Sequence, residues 1–298
     1  MSQGRIVKDL WARRAIFSLS LSGGLIIFLI AISLTAKSSL ILKSKGLPEL
    51  LFSMNWHPSQ GAFGFAPFII GTVWVTAIAM ALAVPASLLF AIYLSDYSRK
   101  KTREALKPVL DLLGGISPVI FGVFGVLTIV PFVKNITALT GYTGNFTGFS
   151  VLSAGIVLAL MVFPTITSVS EEVIHSVPQE ARESSLALGA TKWETIKKVV
   201  LKKAGAGIVA AVILGLSRAF GETIAVLMVV GNVVQAPRSI FDAGYTLPAL
   251  IANNYGEMMS IPLYDSALLL AALILLSVTV FFSIAAWGIL LRIEKAYV

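Results

Sequence analysis

Six apolar runs dominate the chain, at roughly residues 15–36, 67–94, 108–133, 149–170, 204–234 and 265–291. Each exceeds the ~20 residues that an α-helix needs to cross the hydrocarbon core of a bilayer. None alternates polar and apolar residues as a barrel strand does, so the runs predict helices. Charged residues make up only 13% of the chain and hydrophobic ones 57%. A soluble domain carries about 25% charged residues, so lipid is the solvent this chain expects. The fold class is therefore all-α: a polytopic membrane protein with six transmembrane helices. The absence of cysteine excludes a disulfide-stapled secreted scaffold.

The formal charge of +8 follows the runs. Segments 1–14, 95–107, 171–203 and 292–298 hold 17 of the 23 lysines and arginines, and segments 37–66, 134–148 and 235–264 hold five. The alternation places both termini in the cytoplasm. Basic residues scattered over short turns form no nucleic-acid surface. The division expected is a cytoplasmic N-terminus (1–14), a first helix with its outer loop (15–66), a permease-like membrane domain (67–291) containing a cytoplasmic loop (171–203), and a cytoplasmic C-terminus (292–298). The first run, about 22 residues long and followed by no small-x-small cleavage site, reads as a retained helix rather than a signal peptide.

Catalytic chemistry has little to work with. The two histidines, His57 and His175, fall on opposite sides of the membrane and cannot share a metal. His57, in Trp56-His57-Pro58, reads as a packing element of its loop. No Gly-x-x-x-x-Gly-Lys-Ser/Thr loop occurs, so the chain does not hydrolyse ATP by that route. No catalytic, cofactor or metal site is expected.

One basic residue lies inside a run. Arg218 falls about 21 Å along a helix starting near 204, well inside the bilayer. An arginine there costs at least ~2.5–3.5 kcal/mol and needs a partner. Glu222, at i+4, is the partner the spacing predicts. At ~100° per residue, both share a stripe with Gly207, Ala211 and Gly215, which faces a neighbouring helix or an aqueous path rather than lipid. Two readings remain open: a guanidinium that meets a passing oxyanion, or a static salt bridge that fixes packing. Asp111 and Asp265 read as boundary residues. Pro85, Pro118, Pro131 and Pro164 imply kinks, and Gly114-Gly115 and Gly122-x-x-Gly125 imply close packing.

Loop 171–203 carries a second pattern. Pro178 suits a helix start, Glu180 and Glu183 suit its first turns, and Gly189 marks a turn between two short helices. Lys197, Lys198, Lys202 and Lys203 suit a helix C-terminus at the membrane surface. The residues alone fit either a docking knob or a loop lying on lipid.

Here the sequence resembles the permease subunits of ATP-binding-cassette importers. Their cytoplasmic signature is Glu-Ala-Ala, three residues, Gly, nine residues, Ile-x-Leu-Pro. Glu183, Gly189 and Leu201 match at that spacing, with Ser184 and Ser185 in place of the alanines, Val199 in place of Ile and Lys202 in place of Pro. The stretches Gly122-Val-Phe124-Gly125, Leu186-Ala-Leu-Gly189-Ala-Thr-Lys-Trp193, Arg218-Ala-Phe-Gly221-Glu222-Thr223 and Gly231-Asn232 look like the phosphate-specific members. Thr246-Leu247-Pro248 through Gly256-Glu257 resembles the C-type subunit, and Ile116-Ser117-Pro118 departs from the usual Pro-Ser order.

The resemblance covers about 65–298. It implies a type I importer permease in a prokaryotic inner or plasma membrane. Its partners would be an A-type permease, two copies of an ABC ATPase and an extracytoplasmic phosphate-binding protein. It makes about 180–195 the coupling contact to the ATPase, with Glu180, Glu183, Leu186, Gly189, Ala190, Thr191 and Trp193 as contact residues. It makes Arg218 and Glu222 the substrate pathway or gate. Related permeases for molybdate and sulfate carry similar Arg…Gly-Glu segments, so the pair does not fix phosphate, and a permease for molybdate, tungstate or sulfate is the alternative. An ion-driven secondary transporter is the more distant alternative.

Overall fold

The computed structural model describes residues 3–139, 147–257, 261 and 263–297. Among the described residues, six helices are long and apolar enough to cross a membrane: Ile16–Ser44, Ala66–Tyr97, Pro118–Leu139, Val151–His175, Lys192–Gly221 and Tyr264–Ala285. Part of the expected outer segment 134–148 lies outside the described residues.

In chain order the elements are α1 (Gln3–Ser44), α2 (Leu47–Phe52), a hairpin of β1 (Trp56–His57) and β2 (Ala62–Phe63), α3 (Ala66–Ile92), α4 (Lys100–Gly115), α5 (Pro118–Phe124), α6 (Val130–Leu139), α7 (Val151–His175), α8 (Gln179–Ala187), α9 (Lys192–Thr195), α10 (Leu201–Gly221), α11 (Ile224–Val229), α12 (Leu247–Asn254) and α13 (Tyr264–Tyr297). Wide π-type turns at Tyr93–Tyr97, Gly125–Ile129 and Ile196–Val200 continue α3, join α5 to α6, and join α9 to α10.

α7 is the central post. Its Val157, Leu158, Met161, Val162 and Ile166 are buried against α3, α10 and α11. The small stripe does what its spacing predicts. A Cβ on Gly207 would lie 2.3 Å from Val173 and one on Gly215 2.5 Å from Ile166, so α10 seats directly on α7. Gly122 and Gly125 similarly admit Met228, Val157 and Val229. Gly114 and Gly115 do not pack: a Cβ added to either would meet nothing within 4 Å.

Two expected spans are broken. The run 108–133 is not one helix. Ile116 and Ser117 are extended, with ψ of 134° and 139°, because Pro118 disfavours helical geometry before it. Pro118 therefore starts a helix rather than kinking one, and Asp111 sits exposed on the separate α4. The run 204–234 breaks at Glu222, whose ψ is 128°, and helix ends again at Val229. Gly231 (φ 96°) and Asn232 (φ 54°) then turn the chain left-handed, and Asn232 Nδ2 donates to the Leu227 carbonyl at 2.9 Å. The lysines of the loop lie in the first turns of the fifth span, not at a helix C-terminus, since helix runs on from Lys192 to Gly221. In the hairpin, Trp56 does the packing and His57 is exposed.

Candidate functional site

Arg218 lies in the last turn of α10 and reaches two other helices. Its Nη1 donates to Thr165 Oγ1 at 2.7 Å, and its Nη2 approaches the Gly114 carbonyl at 3.5 Å. Thr165 follows Pro164, inside α7, where the ring removes one helical N–H. Gly114 is in the last turn of α4, beside the Ile116-Ser117 break. One guanidinium thus meets a side-chain hydroxyl of α7 and a last-turn carbonyl of α4. Carbonyls at helix C-termini favour a cation there.

Glu222 is not Arg218's ion-pair partner. The helix that would have set them one turn apart ends at Gly221, and the extended backbone of Glu222 turns its carboxylate away. Glu222 Oε1 instead accepts the Ala225 backbone N–H at 3.4 Å, at the start of α11. Among the described residues no ion pair joins the two. Gly221 and Ile224 are exposed at this break, and Glu222 and Thr223 half-buried. Irregular backbone at membrane depth persists only where it is buried in protein or lines an aqueous cavity. The cavity that Gly221 and Thr223 line beside this break is mostly apolar, with Ile30, Leu34, Ile251 and Leu275 in its wall.

At the other end of α7 the loop forms one short helix, α8, and the second expected short helix, α9, is the first turn of the fifth span, Lys192–Gly221. Gly189 (φ 85°) makes the left-handed turn between α8 and α9 that a side chain would strain. Thr191 and Glu194 close a capping box on α9. Glu180, Glu183, Leu186, Gly189, Thr191 and Trp193 are all exposed, and Ala190 is half-buried. Leu188 is 89% exposed. The knob thus exposes Leu186, Leu188 and Trp193 among charged and polar side chains.

The sequence reading missed the polar framework beneath the knob. Arg182 of α8 forms an ion pair with Asp96, and Glu171 of α7 forms ion pairs with Arg103 and Lys107 of α4. Glu171 is 2% exposed. Only its position near a span end, opposite a basic segment, hinted at this. Among the described residues no cluster of His, Asp or Glu could hold a metal ion.

The chain belongs to the family described as "binding-protein-dependent transport system inner membrane component", which matches residues 83–292. It is 36% identical to the phosphate transport system permease protein PstC of Xylella fastidiosa over 97% of this chain and 94% of that protein. It is 38% identical to the probable ABC transporter permease protein YqgH of Bacillus subtilis over 70% of this chain and 66% of that protein. The fold also matches a solved bacterial ABC transporter involved in import of the polysaccharide alginate, with a TM-score of 0.60 at 16% identity over 97% of this chain and 99% of that one. The protein is a multi-pass membrane permease.

Proposed function

We propose that this chain is the C-type permease of an ATP-driven importer of inorganic phosphate. It would form the pathway with an A-type permease, dock two ABC ATPase subunits through about 180–195, and receive phosphate from an extracytoplasmic binding protein. Both termini would be cytoplasmic, as the 17-to-5 bias of basic residues directs. The observation that carries the site is Arg218, in the last turn of α10, reaching Thr165 of α7 and the end of α4. Its present contacts are a hydroxyl and a carbonyl, neither charged. A phosphate oxygen is the stronger acceptor, and the planar fork suits it. Phosphate rather than another oxyanion rests on the relatives' names, since the guanidinium alone does not discriminate.

In this mechanism, closure of the ATPases moves the α8–α9 knob. The spans rock between inward-open and outward-open states, and phosphate passes Arg218. Glu222 holds the start of α11 and sets the local field at the break.

Uptake of labelled phosphate by the assembled transporter tests this. Arg218→Gln is expected to lower uptake about 10- to 100-fold, the equivalent of losing a charge-assisted hydrogen bond worth about 1.5–3 kcal/mol. The exchange Arg218→Glu with Glu222→Arg is expected to stay inactive, because the side chains are not paired. Equal competition by molybdate or sulfate would move the substrate to another oxyanion. Uptake that survives loss of 180–195, or proceeds without ATP, would end the importer reading.

A further inference from the structure

We propose that Arg182 is a positioning residue that couples the α8–α9 knob to the second and fourth spans, through its ion pair with Asp96 and its bond to the Ile174 carbonyl. The inference rests on the reading of 180–195 as the ATPase-docking surface.

The knob has few attachments. No residue of α8 is fully buried. Arg182 is its main polar anchor: Nη1 pairs with Asp96 Oδ1, and Nη2 donates to the Ile174 carbonyl at 2.7 Å. Asp96 lies in the π turn that ends the second span, and Ile174 in the last turn of the fourth. One guanidinium therefore holds the cytoplasmic ends of two spans at once. A planar fork does this from two nitrogens in a fixed geometry, whereas an ammonium must reach both acceptors from one nitrogen. The Arg182 and Asp96 side chains are 13% and 6% exposed, so water screens the pair little.

A second contact acts on the same turn from the other knob helix. Lys192 Nζ sits 4.6 Å from the centre of the Tyr97 ring. Ser185 Oγ lies 3.0 Å from Thr195 Oγ1, tying α8 to the base of α9. A push on the exposed face of the knob is thus delivered to residues 96 and 97. The pair also has room to move. Asp96 Oδ2 and Ser95 Oγ are buried without a partner, beside a cavity of about 640 Å³ that Asp96, His175, Arg182 and Lys192 help to line. The guanidinium can shift between the two carboxylate oxygens without leaving the pair.

The test uses the complete transporter in proteoliposomes and reads phosphate taken up per ATP hydrolysed. The double variant Asp96→Leu with Arg182→Met leaves no buried charge unpaired, which protects the fold. In assembled preparations its uptake per ATP is expected to fall about fivefold or more, the lower range for coupling between sites. Arg182→Lys keeps the charge and loses the fork, with an expected fall of about twofold to threefold, a fraction of that coupling. Wild-type uptake per ATP in the assembled double variant overturns the proposal. If the double variant does not assemble, Arg182→Lys decides by the same ratio. Absence of phosphate-stimulated ATP hydrolysis in the wild-type transporter would instead remove the underlying importer reading.

Discussion

At its Ala66 end, α3 enters a cluster of aromatic rings; at its Tyr97 end, it meets ion pairs. The ring of Trp56 lies 5.0 Å from that of Phe68 and 5.7 Å from that of Phe63, both edge-on, and Phe68 lies 5.2 Å from Tyr245. Tyr264 of α13 and Leu250 of α12 close the same cluster. That end is held by shape, since a close-packed cluster of rings leaves little space for a rearrangement. The opposite end is held by Asp96–Arg182 and by Glu171 with Arg103 and Lys107. Ion pairs with spare acceptor atoms and a neighbouring cavity can exchange partners. The contrast sets packing by shape at one end of the second span against holding by charge at the other.

The contrast can be broken by experiment. The largest expected loss follows Trp56→Ala, at about 3–5 kcal/mol for removing a buried aromatic side chain. Thermal unfolding of the purified protein should show it, with no dependence on salt. Glu171→Gln should cost about 2–3 kcal/mol, less than a fully buried pair because Lys107 is half exposed. Unlike the first, this variant should narrow its gap to wild type slightly in ~1 M salt, through the half-exposed Lys107 rather than the buried Arg103. If both variants respond to salt alike, the two ends are not held by different forces. Gly215→Ala should cost about 1–3 kcal/mol, because Ile166 must yield to the new methyl. Thr191→Ala removes the capping box and should cost about 1 kcal/mol, read as faster amide exchange at residues 192–195. His57→Ala, at an exposed position, should change stability by less than about 0.5 kcal/mol.

Much of this was legible in the chain because it depends on neighbours in sequence. Six spans follow from run length, the turn at Gly189 from a residue that tolerates positive φ, and the seat of α10 on α7 from small residues four apart. The surface character of 180–195 followed from the polar residues and the matching spacing. What was not legible depends on distance along the chain. Asp96 and Arg182 are 86 residues apart, and Arg218 and Gly114 are 104 apart. Periodicity also misjudged the fifth span, since a hydropathy pattern cannot report a backbone that turns extended at Glu222 without losing its apolar flanks. The Ile116-Ser117-Pro118 break carried a local signal, the proline. That signal is easily underweighted, because prolines inside apolar runs more often bend a helix than end it.

The sequence by itself determined that this protein lies in a membrane, how many times it crosses, which loop stands out as a knob, and that Arg218 needs a partner. Those are consequences of solvation and of short-range geometry, which act residue by residue. Only the tertiary structure decided which partner. A guanidinium in a low-dielectric interior takes the acceptors that folding brings to it. The helix break beside it removed Glu222 and left a threonine hydroxyl and a helix-end carbonyl in its place.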